Sequence, residues 1–281
     1  MRIFERRIDL TAWVKQAKIA GNSIGFVPTM GALHPGHLAL AGQAKRENDL
    51  VVCSIFVNPI QFNNPEDLKK YPRTLETDLE HLRSIRCDAV FCPDEKEMYP
   101  GPETKVYDFG HLDKVMEGRY RQGHFNGVAI VVKKLFDIVE PHRAYFGQKD
   151  YQQLQIIKAM VKKEAMDVEI IPCATVREPD GLAMSSRNAR LTPTQRQGAG
   201  KIYKVLQGAR EMYPGQAVST IEKWATQEIN ASPELETEYF QIVDAETLLP
   251  VGDDDLGNEL VACVAVYAGE VRLIDNMKFY S

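Results

Sequence analysis

A Rossmann-like, doubly wound α/β sheet followed by a smaller α+β domain is the architecture that this sequence predicts, and three observations point to it. Over the first 175 residues, short β-rich runs alternate with helical stretches. Several of these runs are continuously apolar, as burial on both faces of a parallel sheet requires. After Arg177-Glu178-Pro179-Asp180-Gly181, a strong turn signal, the order changes to helices and then strands.

In chain order, strands are expected at residues 23–27, 50–57, 88–92, 143–146 and 168–171, each bounded by Gly, Pro, Asn or Asp. Helices are expected between them at 38–47, 74–85, 128–138 and 151–163. A sheet wound in that order binds ligands at the carboxyl ends of its strands. The second part should hold helices at 193–212 and 219–229, then strands at 238–243, 259–266 and 271–274, with Ala268-Gly269-Glu270 as a tight connection. This divides the chain into domains at 1–177 and 178–281, with a hinge near Pro179 to Gly181.

At 281 residues, 44% hydrophobic and 26% charged, the chain has the composition of an ordinary globular protein and enough length for a sizeable core. No apolar run approaches the ~20 residues of a membrane span. Met1-Arg2-Ile3-Phe4-Glu5-Arg6-Arg7 lacks the features of a secretory signal, so a cytoplasmic address is expected. The five cysteines show neither a C-x-x-C pair nor zinc spacing and read as buried reduced thiols. Residues 224–271 contain eleven Asp and Glu and no Lys or Arg, which reads as a solvated surface. Outside that stretch basic side chains outnumber acidic ones, which suits a polyphosphate ligand but is too weak an excess for nucleic acid.

Four segments carry candidate chemistry. The first, Pro28-Thr29-Met30-Gly31-Ala32-Leu33-His34-Pro35-Gly36-His37, follows a strand and opens a helix. Pro35 suits a first helical turn, whose free N–H groups favour an anion that two imidazoles three residues apart can also reach. Alternatively, the two histidines pack or cap. A zinc H-E-x-x-H is excluded by the spacing, and no protein metal site is expected. The second, Phe56-Val57-Asn58-Pro59-Ile60-Gln61-Phe62, puts an amide at a strand end, where it can both donate and accept.

In the third, Phe146-Gly147-Gln148-Lys149-Asp150-Tyr151-Gln152-Gln153, Asp150 and Gln153 have capping-box spacing, while Lys149 should project towards the same edge as the histidines. The fourth, Thr175-Val176-Arg177 and then Met184-Ser185-Ser186-Arg187-Asn188, offers hydroxyls and a guanidinium as a phosphate clamp.

The first segment resembles the H-x-G-H signature of the nucleotidyltransferase superfamily. Together, PTMGALHPGH, FVNPIQF, YPRT, GHFNGVA, FGQKDYQQL, MSSRN and the closing VRLIDN resemble the pantoate–β-alanine ligases over nearly the whole chain. The resemblance implies an ATP-dependent ligase that activates pantoate as an acyl-adenylate and joins it to β-alanine. It also implies a nucleotidyltransferase-type sheet and a homodimer; from charge and hydropathy, no nucleic acid or membrane partner is expected.

Residue by residue, it implies ATP contacts at Met30, Gly31, Ala32, Leu33, His34, Pro35, Gly36, His37, Gly147, Gln148, Lys149, Asp150, Val176, Met184, Ser185, Ser186 and Arg187. His37, His34 and Lys149 are the implied catalytic groups, with His37 as proton donor to the departing phosphate. Gln61, Gln153 and Arg121 are implied to bind pantoate, and Gln61 also lies near β-alanine. Mg²⁺ should accompany ATP through phosphate oxygens and water. Asp78 is a possible protein partner for it, although a solvated helix carboxylate is the simpler reading.

Two positions depart from the family pattern: Gln148 stands where Glu is usual, and Gln122 where Pro is usual, which puts ATP affinity and the Arg121 loop in question. The alternatives are an adenylyltransferase that keeps the nucleotide on its product, and a catalytically silent binding protein of the same fold.

Overall fold

A computed structural model describes residues 1–252 and 259–279. Its first part contains β1 (Arg2–Phe4), α1 (Arg7–Ile19), β2 (Ile24–Thr29), α2 (Pro35–Glu47), β3 (Leu50–Ile55), α3 (Pro65–Lys70) and α4 (Leu75–Ser84). It continues through β4 (Ala89–Phe91), α5 (Glu95–Met98), α6 (Met116–Tyr120), α7 (His124–Val139), β5 (Arg143–Gly147), α8 (Tyr151–Lys163) and β6 (Glu169–Cys173). The six strands form one parallel sheet in the order β1-β4-β3-β2-β5-β6.

The strands are apolar at successive positions because both faces are covered. Phe26, Val52, Ala89, Phe91, Ala144 and Phe146 face the cluster built by α1, α7 and α8. Their neighbours Val27, Val51, Cys53, Val90 and Tyr145 face α2 and α4. The chain therefore leaves β2 towards one face and the adjacent β5 towards the other. At such a switch point the two connections diverge and leave a crevice at the strand ends.

The second part contains α9 (Pro193–Ala199), α10 (Lys201–Met212), α11 (Val218–Asn230) and an antiparallel sheet of β7 (Leu235–Asp244), β8 (Leu260–Ala268) and β9 (Val271–Phe279). It has its own core, from Leu182 to Phe279, where α10 and α11 pack on the sheet. A smaller cluster, including Met116, Tyr151, Tyr239 and Cys263, joins the two parts.

Several local expectations need correction. The strand β1 and helix α1 add to the expected elements, and Leu10, Val14 and Ala17, buried at helical spacing, carry the signal for α1. The expected helix at 193–212 is broken at Gly200, which keeps helical dihedrals and lies against the Asp180 side chain. β9 runs five residues beyond the expected 274, because Asp275 and Asn276 continue the ladder with β8 despite their polarity.

Nor is the acidic stretch uniformly solvated: Glu238 has a 14% exposed side chain and pairs with Arg272. Asp253 to Asp255 lie outside the described residues. The cysteine expectation agrees with the structure, since Cys53, Cys87, Cys173 and Cys263 are buried free thiols and Cys92 is half-buried.

Candidate active site

The crevice at the ends of β2 and β5 opens into a cleft of about 1240 Å³ of empty space. Met30, Gln61, His34, Gly36, His37, Gly147, Lys149, Asp150, Gln153, Val176, Met184, Ser185, Ser186 and Arg187 all line it. Gly31, Ala32, Leu33, Pro35 and Gln148 do not, although each lies within two residues of one that does. Arg121 lines two adjoining cavities together with Lys149, Asp150 and Arg187.

The β2–α2 connection is held from below by Asp78. Its side-chain oxygens accept the N–H groups of Ala32 at 2.9 Å and Leu33 at 2.7 Å, and Thr74 adds a third bond at 3.3 Å. Asp78 is 1% exposed, so it is neither a solvated helix carboxylate nor open to a metal ion. The turn needs this support because Gly31 (φ +82°) and Ala32 (φ +50°) both lie in the left-handed region.

At the start of α2 the two histidines form a reciprocal capping box. His34 Nδ1 accepts from Gly36 N–H at 3.1 Å, and His37 Nδ1 accepts from His34 N–H at 3.3 Å. A Cβ on residue 36 would lie 2.7 Å from the His34 ring, so only glycine fits under it. The helix start is thus less open to an anion than expected, because imidazoles occupy part of it. Since both Nδ1 atoms accept, each neutral ring carries its proton on Nε2. Burial, reinforced by Lys149, lowers the His34 pKa to about 4. Burial, then His34 and Lys149, lowers that of His37 to about 3.

A third buried histidine has the opposite tautomer. Arg121 Nη1 can only donate to His124 Nε2, 3.1 Å away, so Nδ1 carries the proton and donates to Gln61 O at 2.8 Å. Burial and then Arg121 lower its pKa to about 4.

Below pH 6.5 the unfolded chain binds protons that these three folded imidazoles refuse. Stability is therefore complete above that value and falls as the pH drops towards 4, by up to about 1.4 kcal/mol per unit for each ring. Urea unfolding at pH 7 and pH 5 should show this loss, and a smaller one in His37→Asn. An identical pH dependence in the two proteins would contradict it.

Gln61 is 8% exposed and is oriented by Asn58 Nδ2, which donates to Oε1 at 3.0 Å, while its own Nε2 lies 3.0 Å from Met30 Sδ. Of the adjacent pair on α8, Gln152 is structural: it accepts from Glu117 N–H and donates to Leu112 O and Val115 O. Gln153 faces the cleft. The capping box expected of Asp150 and Gln153 is absent, because the Asp150 carboxyl lies towards Lys149 Nζ, 3.7 Å away, and makes no cap bond.

Opposite α2, Ser185 Oγ caps the short turn Ser186–Arg190, and Arg187 reaches Asp67 of α3 at 3.1 Å. Gln148 is fixed through its backbone, whose N–H donates to Cys173 O at 2.8 Å, and Gln122 is exposed next to Gly123. The turn expected to act as a hinge is itself braced: Asp180 accepts two bonds from Arg196, and Glu178 N–H bonds to Leu182 O.

Sequence reasoning missed a buried ionic junction behind the cleft. Burial alone would raise the Glu117 pKa, but Arg272 at 2.6 and 2.7 Å, with the Tyr239 hydroxyl at 2.7 Å, holds it at about 2. One charged wall, one apolar wall from Val128, Val131, Val132 and Leu135, and two inward amides make a cleft for a molecule with a phosphate chain and an uncharged body.

The sequence profile of the family described as Pantoate-beta-alanine ligase matches residues 2–278. The chain is 47% identical over 279 residues to a pantothenate synthetase of Porphyromonas gingivalis, covering 99% of each, and 48% identical over 280 residues to one of Phocaeicola vulgatus, again covering 99% of each. Among solved structures, a pantothenate synthetase of Thermus thermophilus superposes with a TM-score of 0.93 at 44% identity, over 100% of both chains. The pantoate-beta-alanine ligase of Francisella tularensis, complexed with "Beta-gamma ATP and Beta-alanine", gives 0.84 at 40%, over 99% of this chain and 97% of that one. With its sheet, its cleft and its full-length similarity in agreement, the chain belongs to the pantoate–β-alanine ligase family.

Proposed function

We propose that this enzyme condenses pantoate with β-alanine at the expense of ATP, through a pantoyl-adenylate, in the cleft at the ends of β2 and β5. The observation that carries the reading is the meeting of His34, His37, Lys149 and Ser185 to Arg187 around one cleft whose inner end holds Gln61 and Gln153. The Francisella tularensis relative, solved with an ATP compound and β-alanine, agrees with it.

A carboxylate needs a better leaving group before an amine can displace it. One pantoate carboxylate oxygen attacks the α-phosphorus, the bond to the bridging oxygen breaks, and pyrophosphate departs. The amine of β-alanine then attacks the anhydride carbonyl, loses a proton and releases AMP. His34 and His37 donate through Nε2, and Lys149 and Arg187 follow the charge moving onto pyrophosphate. One such preorganised donor is worth ~10² to 10³ in rate. Both imidazoles are neutral until ATP arrives, and its charge raises their affinity for a proton, which lets His37 serve the departing phosphate. Gln61 and Gln153 hold pantoate, Arg121 stands beside them, and Gln61 also meets β-alanine.

Among the described residues no group of three His, Cys, Asp or Glu is arranged to hold a metal ion, and Asp78 is committed to the backbone. Mg²⁺ belongs to the same reading as a companion of the ATP phosphates, with water completing its shell. The reading also includes a cytoplasmic homodimer. No described helix is long and apolar enough to cross a membrane. A division into domains at 1–177 and 178–281 is supported by the separate cores on either side, the second domain covering the site during turnover.

The test follows ¹⁸O from the pantoate carboxylate. Attack at the α-phosphorus sends one labelled oxygen to AMP, and without β-alanine about one pyrophosphate forms per site. Label in inorganic phosphate, with ADP as the nucleotide product, would overturn the route.

A further inference from the structure

Two segments that face the cleft, the turn after β5 and the stretch leading to Arg187, are tied to a single point on β9. Asn276 is 8% exposed and uses both hydrogens of its side-chain amide: Nδ2 donates to Gln148 O at 2.9 Å and to Lys149 O at 2.8 Å. These carbonyls belong to the two peptide planes that flank the Lys149 Cα. Fixing both planes fixes both backbone torsions of Lys149, and with them the direction in which its side chain leaves the turn. The neighbouring residue secures the other segment. Asp275, 4% exposed, accepts from Arg177 at 2.6 and 3.0 Å, and its Oδ1 also receives the N–H of Asn276 at 2.8 Å. Arg177 pairs with Ala183 in a short bridge that leads directly into Met184 to Arg187.

We infer that Asn276 is a positioning residue for Lys149: by clamping the Gln148 and Lys149 carbonyls from β9, it sets the lysine's aim at the transferring phosphates. Asp275 and Arg177 hold the clamp in register with the opposite wall. The inference rests on the role given to Lys149 above, and it makes adenylation depend on the seating of the second sheet. An active-site group misplaced by about 1 Å loses as much as ~10² in rate.

Single-turnover pyrophosphate formation from ATP and pantoate, without β-alanine, tests this in the whole enzyme. Wild type, Lys149→Ala, Asn276→Ala and the double variant are compared. Lys149→Ala should be ~10² to 10³ slower. Asn276→Ala should be about 10- to 100-fold slower, with pantoate saturation little changed. The double variant should be no slower than Lys149→Ala, because once the lysine is gone there is nothing left to aim. Asn276→Asp keeps size and strand pairing but can donate to at most one of the two carbonyls, and only when protonated, so it should be slowed as well; it also serves as the probe if Asn276→Ala folds poorly. Independent, multiplicative losses in the double variant, or a wild-type rate in folded Asn276→Asp, would overturn the inference. A wild-type rate in Lys149→Ala would instead remove the premise about the lysine, and the inference with it.

Discussion

Replacement of Asp78 by alanine should damage stability and activity together, although Asp78 does not line the cleft. It would leave the N–H groups of Ala32 and Leu33 without their acceptors. An unpaired buried donor costs about 1 to 3 kcal/mol, a cost that falls in full on Leu33 and in part on the half-buried Ala32. A whole domain is stable by only about 5 to 15 kcal/mol. The released turn contains two left-handed residues and carries Met30, His34 and His37, so turnover should fall more than ~10²-fold. Asp78→Asn keeps one acceptor oxygen and should lie between the two. Urea unfolding and turnover measured on all three proteins check this, and an Asp78→Ala protein as stable as wild type would remove Asp78 from its supporting role.

The second large effect is at His37, where the capping geometry makes the choice of substitution matter. His37→Ala should slow adenylation by ~10² to 10³. It also removes the acceptor of the His34 N–H, which as a lost cap costs about 1 kcal/mol. An alanine variant alone therefore mixes chemistry with helix stability. His37→Asn separates them, since a short amide oxygen can accept the same N–H but its nitrogen does not extend into the cleft as Nε2 does. Adenylation should remain slow in both variants, while the melting temperature recovers in Asn. If Asn restored the rate as well, capping would be the whole contribution of this histidine.

What the sequence made legible was local. Pro35 at the start of α2, the two histidines three apart, and apolar runs ending in Gly, Pro or Asn each carry their meaning within a few residues. The supports are not local. Asp78 bonds to residues 45 and 46 positions earlier, Asn276 to residues 127 and 128 positions earlier, and Arg272 to a carboxylate 155 positions earlier. No periodicity announces such pairs.

Asp150 shows the converse error, a local capping signature that the fold declines to use because the carboxyl lies towards Lys149. The strand after residue 274 was hidden for a related reason: two polar residues interrupt its apolar pattern, and they are the two that brace the turn after β5 and Arg177.

The divergence of the chain at β2 and β5 has a consequence that concerns descent rather than catalysis. Helices wound to opposite faces leave a gap at those strand ends whatever side chains border it. The opening comes with the topology, so no core residue has to be sacrificed to make room for a ligand. Substitutions along its rim can accumulate, and one substrate can be exchanged for another, while both faces of the sheet stay packed. A scaffold of this kind can keep its winding and change its trade.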